Sequence, residues 1–232
     1  MLYRILRLLT GLAVLPFSGA AVVGLFLTLY GLPGFGESGY WLLAGMAAYV
    51  LLSLVLPRPV ILYVVGHELT HALWSKLFGG RVSNLKVSRK GGSVRVSAVN
   101  TLVILAPYFF PLYTIVVGAG FVLLGLFINV SAYYNVLLFL IGFTLQFHYL
   151  TTSEALGNSQ PDFYEAGIVF SLALIPLLNV LVLALVFQAV FLDMEIVIPM
   201  IKTTFLLAGM AYLWLGKWAV LGVKWLIGRW NG

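Results

Sequence analysis

Long apolar runs, separated by short polar or glycine- and proline-rich stretches, set the pattern along this chain. A helix needs ~20 apolar residues to cross the hydrocarbon core of a bilayer. Seven runs reach or approach that length, and each is predicted to be a membrane helix. They are 5–30, 40–56, 60–78, 102–128, 133–149, 163–191 and a run that begins near Ile196. The pattern predicts an all-α polytopic membrane protein with about 6–7 transmembrane helices, built as a single integral-membrane domain over residues 1–232.

The interruptions between the runs predict where the helices begin and end. Residues 31–39 are rich in glycine and are predicted to form a loop, and 57–59 contain two prolines that end the second run. Two prolines within 106–111 break the fourth run early, and the polar stretch 151–162 is predicted to be a loop. The last run ends in alternating basic and Trp residues, which are typical of an interfacial amphipathic segment.

Between Arg81 and Asn100 the periodicity changes from that of a helix to that of a strand. Apolar and polar residues alternate on both sides of the glycine-containing turn 89–92, which predicts a β-hairpin over 81–100. A two-stranded hairpin is not stable alone in water, so it is expected to lie against the helices or the membrane surface.

Composition supports the membrane prediction and narrows the possible chemistry. Hydrophobic residues make up 62% of the chain and charged residues 9%, whereas a soluble domain has about 25% charged residues. There is no cysteine, which excludes disulfides and thiolate metal sites. The net charge of +6 predicts basic loops facing anionic lipid, and therefore a lipid bilayer rather than nucleic acid as the partner.

The placement of Lys and Arg predicts an orientation. Seven crossings would put the hairpin, the 151–162 stretch and the C-terminus on one side, with nine basic residues there and four on the other. The nine are Lys76, Arg81, Lys86, Arg89, Lys90, Arg95, Lys217, Lys224 and Arg229, and the four are Arg4, Arg7, Arg58 and Lys202. Because cytoplasmic loops carry the excess of basic residues, we expect a multi-pass cell-membrane protein with its hairpin and active site toward the cytoplasm. Seven crossings would put the N-terminus outside the cell, whereas its basic residues Arg4 and Arg7 favour the cytoplasmic side. The side of the N-terminus therefore stays open.

Two histidines and a glutamate interrupt the third apolar run as His67-Glu68-Leu69-Thr70-His71. On a helix, residues at i and i+4 share one face, so both imidazoles can reach a single Zn²⁺. The glutamate beside the first histidine can then take the proton of the attacking water. Ionisable residues at membrane depth are functional-site candidates by default, although a structural histidine pair is the alternative interpretation.

The third metal ligand has two candidates. A catalytic zinc site typically has three protein ligands and one open position. Asp162 follows Pro161 near a predicted helix N-terminus, in a segment expected to return to the leaflet of the two histidines; it is otherwise a helix cap. His148 lies on the fifth run at the same side, and it is either a ligand, a partner behind a ligand, or a hydrogen-bonded histidine of the helix bundle.

These features resemble the site-2 protease family of intramembrane zinc metalloproteases. The matching pieces are His67-Glu68-x-x-His71 inside a membrane helix, the hairpin after it, and an aspartate that opens a later helix. The third motif reads Gln160-Pro161-Asp162, which is similar to a divergent branch of that family. The resemblance covers a catalytic core of about residues 60–190.

The resemblance implies a zinc metalloendopeptidase that cleaves transmembrane protein substrates within the bilayer. One Zn²⁺ on His67, His71 and Asp162 would activate water, and Glu68 would act as the general base. The substrate would be held as an added strand on the 81–100 hairpin. Asn158 and Gln160 are candidates for hydrogen bonding to that strand.

Rival interpretations are a non-proteolytic zinc-binding membrane protein, a metal transporter, or a zinc hydrolase acting on a lipid or small molecule. A transporter is expected to carry ionisable residues along a path through several helices. Outside the motif, His148 and the 154–165 stretch, the predicted spans contain almost none except Lys202 and Lys217. This scarcity favours a single hydrolytic site. An intact Glu68 argues against a relative that has lost its activity.

Overall fold

The computed structural model describes residues 2–33, 35–158, 160–191 and 194–230. Within these ranges the chain is mostly helical, with one small antiparallel hairpin. The helices are α1 Leu2–Tyr30, α2 Phe35–Val55, α3 Val60–Leu77, α4 Thr101–Phe109, α5 Leu112–Gly125, α6 Tyr134–Gly157, α7 Pro161–Ala166, α8 Ile168–Val190 and α9 Val197–Trp230, and the strands are β1 Val82–Ser88 and β2 Gly91–Val96.

The residues group into two compact units. One is Pro33–Ser171, which contains every candidate site residue, and the other combines Met1–Leu32 with Leu172–Gly232. In the second unit α1 packs along α9, and Gly24 permits the close approach, since a Cβ there would lie 2.8 Å from Thr204 Oγ1. That the chain is a single integral-membrane domain stays a prediction.

Among the described residues, five helices are long and apolar enough to cross a membrane, or six if α4 and α5 count as one broken span. The predicted break within 106–111 is confirmed, because α4 and α5 meet at a 73° bend where Pro111 cannot continue the hydrogen bonding of a helix. The motif helix α3 is not among the candidate spans, since its polar residues lower its hydropathy. A multi-pass protein is therefore supported, with fewer candidate spans than the seven predicted runs.

Helices α2 and α6 make the closest backbone approach in the first unit. A Cβ on Gly45 would lie 1.9 Å from the carbonyl oxygen of Phe139, and one on Gly142 would lie 1.9 Å from that of Leu42. Small residues let two membrane helices approach this closely. Farther along both helices, the Tyr49 ring contacts that of Phe147 at a centroid distance of 5.6 Å. The Tyr49–Phe147 contact lies farther toward the C-terminal end of both helices than the two glycine contacts do. Helices α2 and α6 therefore run parallel.

An ion pair continues this parallel arrangement beyond the end of α2. Arg58 Nη2 lies 3.2 Å from Glu154 Oε1 in the last turns of α6. The sequence placed Arg58 and the 151–162 stretch on opposite sides of the membrane, and this contact contradicts that arrangement. Because Arg58 and Glu154 lie together, the chain between them makes an even number of membrane crossings. The seven predicted runs would have given three crossings there.

The predicted 151–162 loop is wrong, because α6 continues through it to Gly157. Thr151 donates its hydroxyl to the carbonyl of Phe147 at 2.9 Å, so this polar side chain is satisfied inside the helix. The short helix α7 then begins at Pro161, and Gly167 at φ 93° separates it from α8. The predicted sixth span is thus two helices.

One other predicted boundary also changes. The glycine-rich loop 31–39 is shorter than predicted, since α2 begins at Phe35. The basic and Trp-rich stretch at the end of the last run belongs to α9, which continues to Trp230, and its interfacial position stays a prediction.

The predicted β-hairpin is confirmed. Strands β1 and β2 pair antiparallel, with Val82 opposite Val96 and Val87 opposite Gly92. The register shifts between Ser83 and Lys86, where Asn84 has φ 52°. This irregularity interrupts the strict alternation that the sequence suggested. Both strands lie along α3, as expected of a hairpin that needs support.

Candidate metal centre

The two motif histidines lie one turn apart on the same face of α3. His67 Nε2 and His71 Nε2 are 3.2 Å from each other. His71 Nδ1 donates to the carbonyl of Val103 at 2.8 Å. Because a carbonyl only accepts, His71 Nδ1 carries a proton, and its Nε2 faces His67 Nε2. The Asn100 side chain caps the N-terminus of α4 by accepting a hydrogen bond from Val103 N–H. This cap stabilises the helix that carries the Val103 carbonyl.

Asp162 completes a cluster of three possible ligands. Its Oδ2 lies 3.5 Å from His67 Nε2 and 3.7 Å from His71 Nε2. Pro161 occupies the first turn of α7 and directs the next side chain toward α3. The three ligand atoms lie within 4.8 Å of one another, so the group could hold a metal ion.

A tyrosine that the sequence analysis did not select supports Asp162. The Tyr108 hydroxyl donates to Asp162 Oδ2 at 2.7 Å, and the residue is only 1% exposed. Its ring also contacts those of His67 and Phe163, at centroid distances of 5.5 and 4.5 Å. The available signal was a tyrosine within an apolar run, since a buried hydroxyl needs a partner.

The carboxyl group of Asp162 is held ionised. Burial favours its protonated form and raises the pKa, but hydrogen bonding with His67, His71 and Tyr108 outweighs burial. The pKa of Asp162 therefore lies well below its usual range. Metal ligation requires a deprotonated carboxylate, which is the form this environment favours.

Glu68 lies on the neighbouring face of α3 and is covered by the hairpin. It is 8% exposed, and a Cβ built on Gly92 would lie 2.8 Å from Glu68 Cγ and 2.6 Å from Val64 Cγ1. A side chain at position 92 would collide with Glu68 and Val64. Glycine at this position therefore lets the backbone of β2 approach Glu68 closely. The sequence indicated a glycine turn here but not its contact with the glutamate.

His148 is buried on α6 and is not part of the three-residue cluster formed by the described residues. It lines a small cavity of about 30 Å³ together with His67, Thr70, Tyr113 and other residues. A cavity needs roughly 10–15 Å³ to hold one water, so this space, which has polar side chains in a mostly apolar wall, has room for one or two. The role of His148 as a ligand or supporting partner stays a prediction.

Asn158 and Gln160 lie beside a second, larger cavity. Asn158 follows the last turn of α6, and Gln160 directly precedes α7. Both line a space of about 710 Å³ that reaches to the turn between α2 and α3. Their contact with a substrate strand stays a prediction, and the structure places both residues at this larger cavity.

Comparison with known proteins found no matching family model, no matching curated protein and no matching solved structure. The function is therefore inferred from the geometry and chemistry of the chain's own residues.

Proposed function

We propose that this protein is an intramembrane zinc metalloprotease, similar in kind to the site-2 proteases, which hydrolyses peptide bonds of transmembrane proteins. The observation that carries the proposal is the cluster of His67, His71 and Asp162 with Glu68 beside it on α3. Glu68 is buried and the three ligand residues are partly buried, within a unit that contains apolar helices long enough to cross a bilayer.

The ligand atoms support zinc as the metal. Their separations are 3.2, 3.5 and 3.7 Å. A tetrahedral zinc ion with bonds of about 2.0–2.2 Å has its ligand atoms roughly 3.4 Å from one another. Two imidazoles and one carboxylate are a usual donor set for a catalytic zinc, which keeps its fourth position open.

Each residue of the site has a role in peptide hydrolysis. When bound, zinc would polarise the scissile carbonyl and acidify the attacking water. Glu68 takes a proton from that water as it attacks and delivers it to the leaving amine as the C–N bond breaks. Tyr108 and the Val103 carbonyl hold Asp162 and His71 in orientation.

The hairpin offers a surface for the substrate backbone. A transmembrane helix shields its own carbonyl groups, so it must unwind before hydrolysis. Since β1 and β2 pair only with each other among the described residues, an extended substrate can add to an outer edge by β-augmentation. The basic residues of the hairpin support a position of this surface on the cytoplasmic side.

The test uses the full chain in nanodiscs, with metal analysis and cleavage of candidate single-span proteins. The wild type should bind about one zinc per chain and cleave. Glu68→Gln should retain the zinc but lose cleavage, because an amide cannot take the proton of water. A matched control is Glu195→Gln at an exposed loop position, which should behave as wild type.

Two outcomes would contradict the proposal. Cleavage by Glu68→Gln at the wild-type rate would exclude the general-base role. Zinc bound by the wild type without cleavage of any candidate would favour a non-proteolytic zinc-binding membrane protein.

A further inference from the structure

The larger cavity has the features of a substrate-binding site. We propose that it binds an extended apolar peptide segment of the transmembrane substrate, next to the bond that is cleaved. This proposal rests on the proposed protease function and names the part of the substrate that the site recognises. The cavity is called the groove below, and it is lined by residues of α2, α3, α5 and α6 and of the connections that follow α2 and α6.

The groove lies next to the metal cluster on α3. Tyr63 lines it, and one turn later the His67 ring follows at a centroid distance of 5.7 Å from Tyr63. Residues on a helix are about 100° apart around the axis, so Tyr63 and His67 share a face while Val64 and Glu68 share the next. The hairpin covers the second face at Gly92. The ligand cluster therefore lies between groove and hairpin.

The size of the groove suits a short segment better than a whole membrane helix. A helix of about 20 residues is about 30 Å long and 10 Å wide, and so displaces roughly 2,400 Å³. The groove measures about 710 Å³, within the range of ~300–1,000 Å³ that is usual for ligand sites. It therefore suits a short part of the substrate, and Tyr63 connects its wall to His67 of the metal cluster.

The lining favours a peptide over a lipid chain. Most of the wall is apolar, including Leu62, Val117 and Leu150, which suits the side chains of a membrane segment. Toward α7, Asn158 and Gln160 add amides that can both donate and accept. An unwound backbone exposes N–H and C=O groups that need both kinds of partner, whereas an acyl chain needs neither.

A charged pair marks the exposed margin of the groove. Arg58 and Glu154 line it and contact each other at 3.2 Å, with their side chains 74% and 34% exposed. The pair connects the turn before α3 to α6, two walls of the groove. A segment that enters from this side meets polar groups first and the apolar wall afterwards.

Because the chain has no cysteine, single cysteines can report on the groove. Val117→Cys lies in its wall, and Val122→Cys on the same helix is 67% exposed and outside it. Each is made in full-length Glu68→Gln protein, labelled with benzophenone maleimide and placed in phosphatidylcholine nanodiscs with a biotinylated Leu/Ala-rich peptide of about 20 residues. Mass spectrometry then identifies whether peptide or lipid has been crosslinked.

The expected result is at least about tenfold more peptide adduct at Val117 than at Val122. Equal peptide yields at the two positions would overturn the proposal. Lipid adducts at Val117 that the peptide does not reduce would also overturn it, in favour of a lipid site. A second measurement compares Val117→Trp with Val122→Trp in an otherwise wild-type chain. Filling the groove should raise KM about tenfold with kcat unchanged, and equal KM values would contradict the proposal.

The outcomes separate this proposal from the protease function. Preferential peptide crosslinking at Val117 without cleavage by the wild type would support the groove and overturn the protease. Cleavage by the wild type without any preference for Val117 would support the protease and overturn the groove.

Discussion

The two flanks of α3 differ in how closely they are filled. On the hairpin flank, the backbone of Gly92 touches Glu68 and Val64 with no room for a methyl group. On the groove flank, Tyr63 borders an open space of about 710 Å³. A backbone contact fixes a side chain, while an open flank leaves room for a ligand. The ligand cluster thus has one flank that the hairpin closes and one flank that is open.

The largest expected effect comes from adding one carbon on the filled flank. Gly92→Ala must displace Glu68 or the strand, because its Cβ would lie 2.6 Å from Val64 Cγ1. A misplacement of about 1 Å can cost 10²-fold in rate, so we expect about a hundredfold loss of kcat with zinc content unchanged. The control Gly118→Ala meets no atom within 4 Å. Wild-type kcat in Gly92→Ala would show that the hairpin does not position the base.

The next largest effect concerns the ligand cluster itself and not either flank of α3. Tyr108→Phe removes the hydroxyl that donates to Asp162 and should weaken zinc binding about 10–100-fold, as expected for a residue supporting a metal ligand. Chelator competition measures this affinity. Tyr164→Phe, at a residue 62% exposed on α7, should not change it. An unchanged zinc affinity in Tyr108→Phe would mean that the tyrosine does not support the ligand.

A smaller effect concerns the wall of the groove. Gly142→Ala would place a Cβ 1.9 Å from the Leu42 carbonyl oxygen and force α2 and α6 apart. Overpacking of this kind costs about 1–3 kcal/mol in the free energy of unfolding, which denaturation in detergent can measure. Gly157→Ala on the same helix meets no atom within 4 Å and should cost far less. Equal losses would indicate that the helix contact is less tight than described.

The apolar runs were a good guide to most helices, and period-two alternation was a good guide to the hairpin. Both signals arise because apolar residues occupy the buried positions of an element, so their spacing along the sequence reflects its structure. The loop at 151–162 failed because polarity alone does not end a helix. Thr151 bonds to a carbonyl one turn earlier, and Glu154, Ala155 and Leu156 are good helix formers.

The candidate cluster was predictable in part. His67, Glu68 and His71 follow from their spacing, and Asp162 was one of two proposed third ligands. Tyr108 and Gly92 could not be assigned to the site, since their contacts join residues 54 positions apart for Tyr108 and Asp162 and 24 apart for Gly92 and Glu68. Such contacts depend on how the elements pack, and sequence periodicity does not record that.

The parallel course of α2 and α6 has a consequence for the parity of membrane crossings. Two spans that run in the same direction must be separated by an odd number of crossings. If the bent pair of α4 and α5 is one broken span, it supplies that crossing. In that case α3 with its histidines would supply none and would return through the hairpin to the side it came from. All the Lys and Arg residues of Pro33–Ser171 then share one side, namely Arg58, Lys76, Arg81, Lys86, Arg89, Lys90 and Arg95. With this topology, α3 would enter the bilayer without crossing it, and the candidate metal ligands would be reached from a single compartment.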